Sequence, residues 1–389
     1  MAGAAIALPR VLRIGAGALD EVGTVLRDLG LSRPFVVTDR FLAAQPAAQR
    51  LAAGLERAGL AATVFADAIP DPTEASVAAA LAAMTGVDHD CVIGFGGGSP
   101  IDTAKAVAVL AARGGGRMRA LKAPHVEDRP GLPIVAIPTT AGTGSEATRF
   151  TIVTDEATDE KMLCIGLAYL PVAAIVDYEL TLTKPPRLTA DTGIDALTHA
   201  IEGYVSRRAN PFSDGIALLA MKAIAPNLRA VFREPDNRPA REAMMLGALQ
   251  AGMAFSNASV ALVHGMSRPI GAHFHVAHGL SNAMLLPVVT AFSASAAPAR
   301  YADCARAMGL ATDATGEAQA VERLVAELRQ LNADLEVPSP RAYGLDENRW
   351  RALIPIMAEQ ALASGSPANN PRIPSASEIA ALYEQAWEA

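Results

Sequence analysis

The sequence changes character at Pro185-Pro186. On the N-terminal side, short β-branched runs such as PFVVTD, LPIVAIP and VAAIVD alternate with alanine-rich segments of helical composition. On the C-terminal side such runs all but disappear. Long alanine- and leucine-rich segments of helical period take over, among them DTGIDALTHAIEGYVSRR and GIALLAMKAIAPNLRAVF. Strands that alternate with helices bury themselves as a mostly parallel sheet covered by helices, whereas helices without strands can bury their apolar faces only against one another. The chain is therefore expected to form an α/β domain over residues 1–184 and an all-α domain over residues 185–389. A length of 389 residues suits two domains.

In the first half, LPRVLRIG, PFVVTD, ATVFADAI and DCVIGFG read as strands, with FLAAQPAAQRLAAGLERAG and TEASVAAALAAMTG as the helices between them. TIVTD and KMLCIG, separated by the charged EATDE, read as a hairpin inserted near the end of the sheet. In the second half, REAMMLGALQAGMAFSNASVALVHGMS reads as one long helical segment, and SGSPANNPRIPSASE as a polar loop before a last helix.

Composition excludes several classes of protein. With 51% apolar and 19% charged residues, the chain has surface enough for a large core and is not disordered. A net charge of −7 is a poor match to a phosphate backbone, so nucleic acid is not an expected partner. The N-terminus has no basic segment before its apolar stretch and does not read as a signal peptide. From Ala243 to Ala299 the only formal charge is Arg268, long enough by count to cross a bilayer. Gln250, Asn257, Pro269, Asn282, Pro287 and four histidines interrupt it, which favours a buried helical core over lipid. Cys91, Cys164 and Cys304 are dispersed and form no CxxC, so no disulfide framework or thiolate zinc site is expected. A soluble, cytoplasmic protein in a reducing compartment is the expectation.

Two loops follow strands and carry ligand chemistry. In GFGGGSPIDTAKA, Gly96, Gly97 and Gly98 permit close backbone approach and positive φ. Ser99 is placed to cap the following helix, with Pro100 at its first position and Asp102 at its third. The free amides and dipole of that first turn suit a phosphate. The usual dinucleotide fingerprint places glycines after the first strand, with an acid about 20 residues later. Here the acid, Asp39, comes before the loop, at the end of PFVVTD. It could accept from ribose hydroxyls or simply begin a helix. PTTAGTGSEAT, after IVAI, offers threonine hydroxyls and glycine amides for a second part of the same ligand, or an ordinary polar turn.

Five of seven histidines fall between residues 199 and 278. Asp195 and His199 stand four apart on one helix face, and His264 and His278 lie in the charge-free stretch. Buried imidazoles need partners, and one divalent cation would satisfy several at once; hydrogen-bonded core histidines are the alternative. Glu202, close to a turn beyond His199, reads as a solvated helix position rather than as support for the cluster.

GGGSPIDTAKA, PTTAGTGSEAT, GIDALTHAIEGYVS and HGMSRPIGAHFHVAHGLSNAMLLP together resemble the motifs of the iron-containing (group III) alcohol dehydrogenase family, in order and over nearly the whole chain. The resemblance implies an N-terminal domain that binds NAD(P), a helical domain that binds a metal, and an active site between them. It implies that Asp195, His199, His264 and His278 hold the metal, Fe²⁺ or else Zn²⁺, since imidazole and carboxylate suit both. It further implies that Gly96, Gly97, Gly98 and Ser99, with Asp102, hold the pyrophosphate, and that Asp39 contacts the adenosine ribose and favours NAD. Thr139, Thr140 and Thr143 form the second nucleotide loop, and Lys161 reaches toward the nicotinamide. The implied reaction is hydride transfer between NAD(H) and a small alcohol, aldehyde or ketone, by a homodimer or larger homo-oligomer. Arg149, Phe150 and Phe255 are candidates to line the substrate pocket.

The chain departs from the family pattern in places. The family often has a histidine four residues after the third ligand; here Arg268 stands there, and arginine cannot act as a base. The last ligand follows Ala277 instead of the common proline. Two histidines, His273 and His275, lie in the run AHFHVAH, where an extended segment would put them on one side. Either could replace the missing proton relay, and His275 is favoured. Two rival enzymes share the architecture. A dehydroquinate synthase-like lyase would need more basic residues near the metal motifs, and a maleylacetate reductase-like enzyme typically dispenses with the metal.

Overall fold

A computed structural model of the chain describes residues 3–388. They divide into two compact units, residues 7–183 and residues 184–388, with residues 3–6 grouping with the second.

The first unit is built on a six-stranded sheet of β1 (Val11–Ile14), β2 (Pro34–Val37), β3 (Thr63–Phe65), β4 (Cys91–Gly96), β5 (Ile134–Pro138) and β8 (Ala173–Val176). Its order is β1-β8-β5-β4-β2-β3, and every neighbouring pair is parallel. Such strands are covered on both faces, so they read as unbroken apolar runs: PFVV and IVAIP are buried at every position. Helices α1 (Val22–Asp28), α2 (Arg40–Ala43), α3 (Pro46–Arg57), α4 (Glu74–Ala82) and α5 (Gly98–Ala112) connect the strands. The segment read as one helix after β2 is two, because Pro46 cannot continue α2 and instead starts α3. The expected hairpin is present as β6 (Phe150–Asp155) and β7 (Glu160–Ile165), antiparallel and apart from the main sheet. The chain passes from β2 outward to β3 and then returns to β4 on the other side of β2. That reversal marks the switch point where open α/β sheets bind ligands beyond their strand ends.

The second unit is helical: α6 (Pro186–Val205), α7 (Pro211–Arg233), α8 (Arg238–Ala258), α9 (Leu262–Phe274), α10 (His278–Ala294), α11 (Pro298–Ala307), α12 (Glu317–Asp334), α13 (Glu347–Ala363) and α14 (Ala376–Ala386). The charge-free stretch supplies much of its core. Met266, Ile270, Ala283 and Leu285 are fully buried. The segment expected as one helix is broken into α8 and α9, whose directions differ by 103°. The break is at Ser259, whose φ of 68° and ψ of 159° end α8 in a region normally left to glycine. Asn369 stabilises it, donating from Nδ2 to Ser259 Oγ and to the Val260 carbonyl, each at 3.1 Å. The bend brings the first turn of α9 back onto α6. By length and composition, α7 is long and apolar enough to cross a membrane, with 33% of the relevant window buried.

Candidate nucleotide loops and metal centre

Three loops leave the C-terminal ends of adjacent strands β2, β4 and β5. The glycine loop and the threonine loop interlock. Thr139 donates its amide to the Gly96 carbonyl at 2.9 Å. A Cβ on Gly98 would stand 2.9 Å from Thr143 Cγ2, and one on Gly97 3.6 Å from Thr140. Gly96 has φ +154°, and a Cβ there would lie 2.5 Å from the Pro100 ring. Gly96 is thus required by both conformation and space, and Gly98 by space, whereas a Cβ on Gly97 would meet only ordinary contact. Helix α5 begins earlier than its sequence suggests: Gly97 is the N-cap and Gly98 the first helical residue. Ser99 is therefore inside the helix, and its hydroxyl accepts from the Asp71 amide at 3.2 Å rather than capping α5. The amides of Gly98 and Ser99 are among those a helix start leaves for a ligand.

Asp102 correspondingly sits fifth in the helix, not third. Both of its oxygens are engaged within the protein, by Ser145 Oγ at 2.7 Å and the Ile152 amide at 3.0 Å. One turn on, the buried Lys105 donates to the Thr148 carbonyl, the Thr148 hydroxyl and the Phe150 carbonyl. Asp102 and Lys105 therefore hold the threonine loop and β6 against α5. Burial pulls the Lys105 ammonium down to about 8 against the charges of Asp102 and Glu146. Nothing in the sequence distinguished Lys105 from the solvent-facing lysine of an ordinary helix. Asp39 does cap a helix, accepting from the Leu42 amide at 2.8 Å. Lys161, in β7, pairs with Asp71 at 3.0 Å and so stands beside Ser99.

In the helical unit, α6 carries Asp195, His199 and Glu202, the first turn of α9 carries His264, and His278 is the first residue of α10. Nε2 of His264 lies 3.5 Å from Asp195 Oδ1, and Nε2 of His199 and of His278 each lie 3.9 Å from it. Asp195, His199 and His264 are buried, while the His278 side chain is 39% exposed, which leaves one side of the group open. Donor atoms about 2.1 Å from a tetrahedral ion stand roughly 3.4 Å apart, and those of Asp195, His199 and His264 all lie within 4.8 Å of one another, which suits a divalent cation. The amide of Asn282 supports the fit. Its Nδ2 faces Asp195 Oδ1 at 2.7 Å and the Nε2 atoms of His264 and His278 at 3.2 Å each, and its buried Oδ1 has no partner among the described residues. Two N–H groups cannot satisfy three such acceptors.

Glu202 corrects the sequence reading. It is 3% exposed, and its carboxylate accepts from the Val263 amide and meets His264 Nδ1, each at 2.6 Å. It thereby fixes the His264 tautomer that presents Nε2 to the cluster. Ser267 Oγ stands 3.3 Å from His278 Nδ1 and is tied in turn to Ser281. The signal for Glu202, Ser267 and Asn282 was polarity at helical spacing within an otherwise apolar run. Burial opposes ionisation of Asp195, but His199, His264 and His278 outweigh it and hold the carboxyl well below its usual range. Burial likewise disfavours a cationic His264, yet Glu202 and Asp195 push it up to about 9. Phe255 stacks on the His199 ring at 4.2 Å.

The two relay candidates are not drawn into the cluster. AHFHVAH is not extended, because α9 continues through Phe274. His273 Nε2 meets Gln360 Oε1 at 2.8 Å. His275 is exposed with φ +56° at the end of α9, so the pair does not share one side. Gly279 fixes the approach of α10: a Cβ there would lie 2.4 Å from the Asp191 carbonyl on α6.

Residues 9–178 match the iron-containing alcohol dehydrogenase family, and residues 189–387 its C-terminal domain. The chain belongs to the iron-containing alcohol dehydrogenase family. It is 37% identical over 380 residues to the NAD-dependent methanol dehydrogenase of Bacillus methanolicus, covering 97% of this chain and 98% of that one. It is 37% identical over 383 residues to the 1,3-propanediol dehydrogenase of Citrobacter freundii, covering 98% of each. A crystal structure of a 1,3-propanediol oxidoreductase superposes with a TM-score of 0.94 at 36% identity, covering 99% of this chain and 100% of that one. The protein is an oxidoreductase acting on alcohols and aldehydes.

Proposed function

We propose that residues 1–184 bind NAD and residues 185–389 hold a catalytic Fe²⁺, with Zn²⁺ the alternative ion for the same donors. The observation that carries this reading is the convergence of three imidazole Nε2 atoms on the buried Asp195 carboxylate. Asp195, His199, His264 and His278 hold the cation, and the partial exposure of His278 leaves an open side for substrate. The amides of Gly98 and Ser99 and the adjoining Thr140 and Thr143 take the pyrophosphate. Asp39 accepts from the ribose with the carboxylate oxygen not used for capping. The NAD-dependence named for the Bacillus methanolicus relative supports that cofactor.

When bound, the cation supplies Lewis acidity to the alcohol or carbonyl oxygen and the nicotinamide accepts or returns the hydride. The chain's own part is positional. Glu202 orients His264, Ser267 braces His278, and Phe255 covers the His199 ring against water. Arg268 cannot take the substrate proton. We place the proton's exit at His275, which is exposed and three residues before His278. His275→Gln should lower kcat near neutrality, with recovery at high pH or with added imidazole. A wild-type pH profile in that variant would remove His275 from the path.

The three cysteines are buried and unpaired, which suits a reducing, cytoplasmic setting. Small alcohols and aldehydes are the proposed substrates, and a homodimer or larger homo-oligomer the proposed assembly. Anaerobic purification with metal analysis, followed by an alcohol and aldehyde panel with NAD(H), tests the whole. Turnover without bound metal would overturn it.

A further inference from the structure

Arg268 is the sole formal charge in the stretch from Ala243 to Ala299 other than histidine. It stands four residues after His264 in α9, so the two side chains lie on one face about 6 Å apart at Cβ. Its guanidinium is partly buried, and Nη1 donates to Ser366 Oγ at 3.0 Å. Ser366 belongs to the turn Ser366–Asn369, which also ties down the α8–α9 bend through Asn369. The turn packs tightly on α9, since a Cβ on Gly265 would lie 2.8 Å from Pro367.

Among the described residues, no carboxylate stands within ion-pair distance of Arg268. Other half-buried arginines of this unit have one: Arg187 pairs with Asp191, Arg229 with Glu327 and Asp334, and Arg300 with Asp214. Arg241 lacks an acid, but it spends two donors on Thr189 and the Pro235 carbonyl. Arg268 spends one of five donors, on a neutral hydroxyl. None of its nitrogens is sealed in the interior without a partner, so the remaining donors are open to solvent or ligand. Burial lowers the guanidinium to about 10, with Glu202 opposing, so it stays charged at neutral pH.

The local charges point the same way. The one carboxylate acting on Arg268 through space is Glu202, and both of its oxygens are engaged, by the Val263 amide and by His264. Arg268 is thus a half-buried cation with open donors and no acid in contact, which an anion can meet. A guanidinium fork matches a carboxylate in two parallel hydrogen bonds.

We propose that Arg268 is a specificity-determining residue that receives the carboxylate of a short hydroxy acid or oxo acid whose reacting carbon lies at the histidine cluster. The inference rests on the dehydrogenase reading above. The balance is that of the known reaction: the carbinol carbon gives a hydride to NAD⁺, the hydroxyl gives a proton to solvent, and the carboxylate is unchanged.

The test uses the metal-loaded enzyme and NADH, with succinate semialdehyde and butanal measured in competition. The quantity read is the ratio of their kcat/KM values, which cancels differences in active fraction between preparations. Wild type should favour the acid, and Arg268→Met should lower the ratio by about 30-fold or more, as expected for a lost charged hydrogen bond. Arg268→Lys, which keeps the charge without the fork, should keep an intermediate ratio and decides the matter if the methionine variant does not fold. A wild type that favours butanal, or ratios equal in all three proteins, overturns the proposal while leaving the dehydrogenase reading intact. Absence of turnover with both aldehydes and with a wider panel removes that reading and this one with it.

Discussion

The loops of the α/β unit and the cluster of the helical unit build sites by opposite means. Around Gly96–Ser99 the chemistry belongs to the backbone, and side chains matter by being absent: a Cβ at Gly96 or Gly98 would collide with Pro100 or Thr143. Around Asp195 the chemistry belongs to side chains gathered from three helices, and the backbone matters only as a frame. A backbone site tolerates many neighbouring sequences but not a methyl group. A side-chain site tolerates little at its donors.

The largest expected effect separates the two sites. His264→Ala removes a central donor, so metal content should fall below one per subunit and kcat/KM by about 1,000-fold or more. NAD affinity, read by quenching of protein fluorescence, should remain within a few-fold of wild type. Full metal occupancy in this variant would remove His264 from the cluster. The mirror experiment is Gly96→Ala, which places a side chain at φ +154° against a proline ring. KM for NAD should rise by roughly 10- to 100-fold, since a strained backbone position costs about 1–3 kcal/mol, with metal content unchanged. An unchanged KM would mean the loop yields and the glycine is not required.

Glu202→Gln asks whether the cluster depends on its support. Losing the carboxylate on His264 Nδ1 should weaken metal binding by about 10- to 100-fold in a chelator competition. Equal affinity would reduce Glu202 to packing. Asp39→Gly is milder: it removes a cap worth about 1 kcal/mol and the proposed ribose acceptor. The NADP/NAD ratio of kcat/KM should rise, and no change would leave Asp39 a cap alone.

The smallest effect concerns Lys105. Its folded-state pKa of about 8 lies below its ordinary value of 10.5, so the folded protein binds fewer protons between those two pH values. Stability contributed by this group therefore rises with pH across that window and is flat below it. Relative to Lys105→Met, wild-type Tm should gain a few degrees between pH 8 and 10, as about 1 kcal/mol would give. A constant difference across that range would show that Lys105 is not depressed.

Much of this was legible because each site left marks in sequence. The parallel sheet followed from β-branched runs, and the cluster from an i,i+4 pair plus histidines without nearby charge. What escaped depended on tertiary contact. The α8–α9 break sits at a serine rather than a glycine or proline, and it is held by Asn369, 110 residues away. Glu202 looked solvated because helical position alone does not show that α9 folds back over it. An extended AHFHVAH run would put His273 and His275 on one side, but α9 continues through Phe274. Local pattern states what a residue is able to do, and the fold states which neighbour it meets.

The most direct test of the central claim is metal titration of the chelated enzyme under anaerobic conditions, with NAD-linked alcohol oxidation measured at each step. No activity is expected in the stripped protein, with a linear return on added Fe²⁺ and a break at one ion per subunit. Full activity in protein with less than a tenth of an ion per subunit would contradict it.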